Sequence, residues 1–400
     1  MELVITKNKF NFFMLLAMII WYTVPIVQER SGMMGIAGII FLWVLSGNLK
    51  DLVKHLSRMV PWGIMIVVLC FVVIEGIKPY GGIETVYFVV STFLVFFPVV
   101  LFWYYKDRLT EKECKILAVL FFVCLLYGAI NTYKVLLEYP LASRLMATSR
   151  GDEYSKMGAG GYGFAYLLML SYPVLLYISK KEKNKVLKVL YVFMMVFFVL
   201  TLIKCEYTTC LLLLFLGIII YISFNSNVLV NVIIWSIFVM CLIFGIGMDD
   251  IFMFLARLFE GTEVIAVRLR DVAGAFSNEG FDGMDSSRYE LYIESVEGFI
   301  NSPFVGTAYS FEMIKGGHST VLDTLAVYGL VGFTAVVYAI VSGYKNIKKC
   351  VQDKKVYQLT ILLFWVLSIL NPTLYIYQLG IIVFFISPVI LRKNSMVEEV

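Results

Sequence analysis

Charge is scarce in this sequence. Aspartate, glutamate, lysine and arginine make up 16% of its 400 residues, against about a quarter in ordinary globular domains. Hydrophobic residues make up 60%, mean hydropathy is +0.85, and a water-soluble globular domain is excluded. Histidine is scarcer still, with two residues. Cys70, Cys114, Cys124, Cys205, Cys210, Cys241 and Cys350 fall mostly inside apolar runs, at spacings that match no metal site and imply no disulfide framework. Cys205 and Cys210 are close enough in sequence to meet near a turn, but read more simply as small buried hydrophobes. Basic residues are scattered through short loops, which argues against nucleic acid as a partner. No internal repeat and no low-complexity segment is present, and nowhere does the chain alternate strictly as a membrane barrel would.

What is there in quantity is apolar runs near the length that crosses a bilayer. Backbone groups in lipid must be satisfied within the segment, so the runs read as helices. The fold class is therefore all-α: a polytopic integral membrane bundle of about twelve transmembrane helices. The spans fall near 10–27, 33–49, 60–77, 83–105, 116–137, 158–178, 187–203, 207–224, 228–247, 319–343, 357–371 and 374–391. The first run follows Lys7 and Lys9 but is long for a signal peptide and lacks a small-residue cleavage site, so it reads as a retained span. Most of the 33 basic residues fall in alternate connections, among them Lys50, Lys54, Arg58, Lys106, Arg108, Lys180, Lys181, Lys183, Lys345, Lys348 and Arg392. By the positive-inside rule both termini are cytoplasmic.

Two outer connections are not short. One, 138–157, carries Arg144, Arg150, Asp152 and Glu153 and runs into the glycine-rich stretch Gly158-Ala-Gly-Gly-Tyr-Gly163. The other, 248–317, divides the chain into nine spans (1–247), a large extracytoplasmic loop, and three spans with a cytoplasmic tail (318–400). A loop of that length is functional or disordered, and its many phenylalanines, leucines and tyrosines predict short helices lying on the membrane surface. One of them opens at Ser287, with Glu290 three residues on as a capping box. It places Leu291, Tyr292, Ser295, Val296, Phe299 and Ile300 on one face, and Pro303 and Gly306 follow as a turn.

The candidate chemistry lies in 285–332. Arg288 stands in the first turn of that helix, where a cation opposes the helix dipole. It reads either as a solvated arginine or as an anion clamp, since guanidinium grips phosphate through paired hydrogen bonds. Arg257, Arg268 and Arg270 share the loop, and either balance its acidic residues or form a pocket for a diphosphate headgroup. His318 follows Lys315-Gly316-Gly317 and opens a span, so it reads as an interfacial or capping residue or as a general base working near neutral pH. Asp323 is an ionisable group within a span, a placement that marks a polar partner or a function. Five residues of separation turn it away from His318.

His318-Ser319, nine residues, then Gly329-Leu330-Val331-Gly332 has the pattern H-[NSQ]-x9-G-x-x-G. That pattern resembles the signature of the superfamily of O-antigen ligases and Wzy-type O-antigen polymerases. Arg288 to Gly306 is similar to the family's arginine, short helix and proline–glycine turn. Two features depart from it. Thr201 to Thr209, with Lys204, stands where many members carry a Ser-Arg-Gly element, and Gly306-Thr307-Ala308 replaces a frequent Gly-x-Gly. The resemblance implies a metal-independent, inverting glycosyltransferase of a bacterial cytoplasmic membrane, needing no cofactor and acting on the outer face. Its substrate would be an undecaprenyl-diphosphate-linked oligosaccharide, polymerised into O-antigen, capsule or exopolysaccharide. His318 would be the base on the acceptor hydroxyl, and Arg288 would stabilise the leaving diphosphate with Arg268 or Arg270. Arg257, Arg150 and Tyr289 would be further substrate contacts, Gly306, Gly329 and Gly332 the motif glycines, and a chain-length regulator protein a partner. Ligase-type transfer of finished glycan is the nearest other reading, and a lipid-linked oligosaccharide flippase the nearest of another class.

Overall fold

The computed structural model describes residues 7–48, 83–140, 142–146, 151–227, 230–231, 236, 248–261, 265–267, 269–270, 273, 286–307, 315–374 and 376–392. They are all-α apart from one isolated bridge between Val351 and Arg392. In chain order the helices are α1 (Lys7–Thr23), α2 (Pro25–Trp43), α3 (Ile83–Tyr105), α4 (Glu111–Glu138), α5 (Tyr162–Lys181), α6 (Lys185–Cys205) and α7 (Thr208–Asn225). They continue as α8 (Met248–Leu258), α9 (Ser286–Asn301), α10 (Thr320–Lys348), α11 (Lys354–Leu370) and α12 (Gln378–Ile390). Five described helices are long and apolar enough to cross a bilayer, and three shorter apolar helices accompany them. The fold is that of a multi-pass membrane protein. The expected span 60–77 and nearly all of 228–247 lie outside the described residues.

Helix boundaries follow from caps. Thr110 and Glu113 form a reciprocal capping box on α4, Asn184 caps α6, Ser319 caps α10 and Asp353 caps α11. Pro98 inside α3 has no N–H to give the Leu94 carbonyl, and the Tyr22 hydroxyl donates to that carbonyl instead (2.8 Å). At the next residue, α12 passes so close that a Cβ on Gly380 would lie 1.8 Å from the Val95 carbonyl oxygen. The core is aromatic, with Trp21, Trp43, Phe102, Phe121, Phe122, Phe364, Phe384 and Phe385 buried. Val186, Val189, Phe193, Val196 and Leu200 form an exposed apolar stripe along α6. Such a surface suits acyl chains and is a liability in water.

The bundle has two chemically different ends. At one, Trp43 donates to the Tyr105 hydroxyl (2.9 Å), which donates to the Asn11 carbonyl (2.7 Å), and Arg392 donates to the carbonyls of Lys106 and Leu109. Lys180, Lys181, Lys183, Lys185, Lys348, Lys349 and Lys354 belong to connections at this end. The other end gathers Val24, the 139–161 connection, the α6–α7 turn, the start of α10 and the 371–377 connector. His318 is at this second, lysine-poor end.

One expectation is corrected. The helix after residue 285 does not lie flat across the bundle: α9 runs parallel to the first half of α10. Ser295 meets Asp323 near the helix start, and the turn after Asn301 meets α10 one to two turns deeper, at Ala326 to Val331. Its packed face is also rotated from the predicted one. Ser295 and Gly298 are buried, whereas Val296 and Ile300 are exposed. The reason is closeness of approach, since small residues let two backbones pack where Val and Ile would hold them apart.

Candidate functional site at the mouth of α10

The sequence Pro303-Phe-Val-Gly306 forms a tight turn, with Gly306 at φ 78°. Opposite it α10 breaks at Gly329, whose φ of 60° and ψ of −166° are open only to glycine. The break leaves the N–H groups of Leu330 and Val331 without their helical acceptors. Pro303 and Phe304 supply carbonyls to them at 2.9 and 3.1 Å, and the Thr307 hydroxyl donates to the freed Ala326 carbonyl (3.0 Å). A Cβ on Gly306 would lie 2.1 Å from the Val327 carbonyl oxygen, and one on Gly329 would lie 2.4 Å from the Phe304 carbonyl carbon. At Gly332 the kink brings Tyr328 Cβ within 2.2 Å of the same imagined atom. Gly306 and Gly329 are thus a backbone interlock that locks the α9 turn into α10, while Gly332 makes room for Tyr328 within α10.

Above the interlock lies a buried carboxylate. Asp323 is 5% exposed, and among the described residues no cation pairs with it. Its charge is met by hydrogen bonds instead. Oδ1 accepts from the Ser295 hydroxyl (2.8 Å) and the Gly317 N–H (3.0 Å), and Oδ2 accepts from the Ser319 N–H (3.2 Å). Ser295 in turn accepts from the Gly316 N–H (2.9 Å). The positive end of α10 adds to these, because Asp323 lies in its first turn. Asp323 therefore grips the amides on both sides of His318, and the strap 316–319 is tied to α9 as well as to α10. Gly316 is required here: a Cβ would lie 1.8 Å from the Leu291 carbonyl oxygen. His318 itself is half-buried.

The start of α10 is pinned from the other side by the Asn371-Pro-Thr373 break between α11 and α12. Thr320 donates to the Asn371 carbonyl through both N–H (3.2 Å) and hydroxyl (3.0 Å) and accepts from the Thr373 N–H. Ser368 and Thr373 share a 2.6 Å hydrogen bond, and Tyr166 donates to Asn371 Oδ1 (2.8 Å). The result is a polar cluster at the top of an apolar bundle, and it leads to His318 by two residues.

The predicted site residues divide into groups. Arg288 lies in the first turn of α9, seven residues and about two helical turns before Ser295. Tyr289 follows it in the same turn. Arg257 is exposed on α8, which packs through Ala256 with Ile265, Leu269 and the start of α7. Arg270 is exposed and lies 3.6 Å from Glu260, an acid of its own loop. Arg150 and Arg268 lie outside the described residues. Lys204 is exposed in the last turn of α6, where Glu206 (φ 58°) ends the helix. Among the described residues no three His, Cys, Asp or Glu converge as metal ligands would.

No family model, curated protein or solved structure matches this chain. Functional argument therefore rests on the site itself. Sequence reasoning singled out His318, Arg288 and the glycines and named Ser295 only as part of a helix face, but missed Thr320, Asn371 and Thr373. It also turned Asp323 away from His318 and so overlooked the backbone amides flanking the histidine, which Asp323 accepts from. The signal was present: an acidic residue in the first turn of an apolar helix must find donors, and the nearest free ones are the amides just upstream.

Proposed function

We propose that the protein is a membrane glycosyltransferase that polymerises polyprenyl-diphosphate-linked oligosaccharide units on the outer face of a bacterial cytoplasmic membrane. The observation that carries this reading is the strap at His318. A buried carboxylate orders the backbone on both sides of one imidazole, at the mouth of a membrane helix packed against the helix whose first turn carries Arg288. A histidine that only marked an interface would have no need of so costly a support as a buried carboxylate with no cation beside it among the described residues. The lysine-rich opposite end is the cytoplasmic one by the positive-inside rule, so the strap faces outward.

In the proposed reaction a hydroxyl of the acceptor sugar attacks the anomeric carbon of the donor. His318 takes the hydroxyl proton as the new C–O bond forms. The bond from the anomeric carbon to the diphosphate breaks, its electron pair leaves with the lipid diphosphate, and the anomeric configuration inverts. Arg288, assisted by arginines of 257–270, neutralises the departing charge. The exposed apolar side chains of Ile300, Phe304, Val305, Leu330 and Val331 cluster at the interlock, a surface that suits the lipid tail of such a donor.

The test is deletion of the gene followed by complementation. Surface glycan is run on a gel with the lipid-linked pool measured beside it. Collapse of the ladder to single units, restored by the native gene and not by His318→Ala, is the expected result. A full ladder retained on the lipid carrier would instead make the enzyme a ligase, and single units trapped on the inner face would make it a flippase.

A further inference from the structure

An open cleft of about 460 Å³ indents the same end of the bundle, away from the interlock. Its walls come from three separated parts of the chain: Gln28, Glu29 and Gly32 of α2, Met146 to Phe164 before and into α5, and Ile376 to Gln378. That volume falls in the range of ligand sites, about 300–1,000 Å³. The connector 371–378 joins it to the His318 site, since its first residues pin Thr320 and its last ones line the cleft.

The lining is unlike a diphosphate site. None of the described lining residues is lysine or arginine, and one, Glu29, is a carboxylate. What it offers is neutral hydrogen-bonding capacity. Gln378 Nε2 donates to Gln28 Oε1 (3.0 Å), which leaves each carboxamide a second polar atom. Ser155 adds a hydroxyl, whereas the Gly160 N–H is given to the Thr132 hydroxyl (2.8 Å) and the Gly161 carbonyl accepts from the Phe164 and Ala165 N–H groups. Tyr377 forms part of the wall and is held by stacking on Trp21, with ring centroids 4.8 Å apart. Gly163 lets the 376–378 connector approach α5 closely: a Cβ there would lie 2.8 Å from Ile376 and 2.9 Å from Gln378 Oε1.

We propose that this cleft is a binding subsite for a neutral glycan segment, holding the sugars of a repeat unit while the reacting bond lies at His318. The proposal rests on the transferase reading above. Paired carboxamides, a hydroxyl, a carboxylate and an aromatic wall match the alternating hydroxyl and C–H faces of uncharged sugars, and Glu29 repels acidic ones.

The test measures binding apart from catalysis. The full chain in lipid nanodiscs is titrated calorimetrically with oligosaccharides released by mild acid from the host's own surface polysaccharide, and separately with trigalacturonic acid. Gly161 has an ordinary backbone conformation (φ −82°) with Met146 atoms no nearer than 3.5 Å to a Cβ, so Gly161→Leu obstructs the cleft without backbone strain. Gly161→Leu and Gln28→Ala should each weaken the neutral ligand at least tenfold, with His318→Ala binding as wild type. Glu29→Gln should raise affinity for trigalacturonic acid several-fold, a gain that misfolding cannot imitate. Unchanged binding in the cleft variants, or absence of binding to the wild type, overturns the subsite. If binding is lost in the cleft variants while gene deletion leaves the glycan ladder intact, the subsite stands and the transferase reading falls. If His318→Ala abolishes the ladder while cleft variants bind and polymerise normally, the reverse holds.

Discussion

Asp323→Asn is the most informative single change, because it alters charge and hydrogen-bond polarity while keeping shape. The carboxylate accepts three hydrogen bonds, two at Oδ1 and one at Oδ2. An amide has one acceptor oxygen. Its better orientation keeps that oxygen toward Ser295 and Gly317, and then turns its own NH2 group against the Ser319 N–H. Ser319 is 1% exposed, so water does not replace the lost acceptor. One buried donor left unsatisfied costs about 1–3 kcal/mol, which corresponds to about a 5- to 150-fold shift in an equilibrium. If only the ordered strap presents His318 correctly, turnover falls by a similar factor.

The assay is transfer in membranes supplied with lipid-linked repeat units, with protein abundance measured in parallel. The fall should appear in kcat with KM little changed, because the strap positions the base and does not hold the substrate. Ser295→Ala removes one donor to Asp323 and the acceptor of Gly316, and should give a smaller loss in the same direction. Wild-type turnover in Asp323→Asn at normal abundance would refute the idea that this carboxylate organises a catalytic strap.

Three further outcomes follow from the geometry. Gly306→Ala and Gly329→Ala should lower folded protein in the membrane sharply, since each Cβ meets backbone atoms at 2.1 and 2.4 Å; at Gly329 about 1–3 kcal/mol of backbone strain adds to the overlap. Both are read as abundance and as melting temperature in detergent, and an active, fully abundant Gly329→Ala would contradict the interlock. His318→Ala should leave abundance and melting temperature near wild type while lowering transfer by about 10²–10⁴-fold, the usual loss for a general base. Arg288→Lys should recover little of the activity lost in Arg288→Ala, because a single ammonium does not reproduce the planar fork that grips a diphosphate; full recovery in the transfer assay would reduce Arg288 to a simple positive charge.

What could be read in advance depended on the range of each interaction. Spans were legible because burial in lipid imposes a length and an apolarity on every residue of a helix, as in Lys185–Cys205. The orientation of α9 was not, because it is decided by contacts between residues far apart in sequence: Ser295 with Asp323, Thr307 with Ala326, and Pro303 with Leu330. A periodicity argument weighs Val296 and Ile300 as the packed face by their hydrophobicity. In a membrane that weighting inverts, since lipid accepts large apolar side chains and protein–protein contact rewards small ones. The same inversion explains why the glycines at 306, 316 and 329 say more about the site than its aromatic residues do. Each marks a point where one backbone is seated against another, and together they bring α9, the strap and α10 into one unit. A histidine on such a unit has its flanking backbone fixed against α9 and α10. Preorganisation of this kind is what a transfer reaction between two large, lipid-anchored glycans requires, because neither substrate can be oriented by the solvent and both must meet one base.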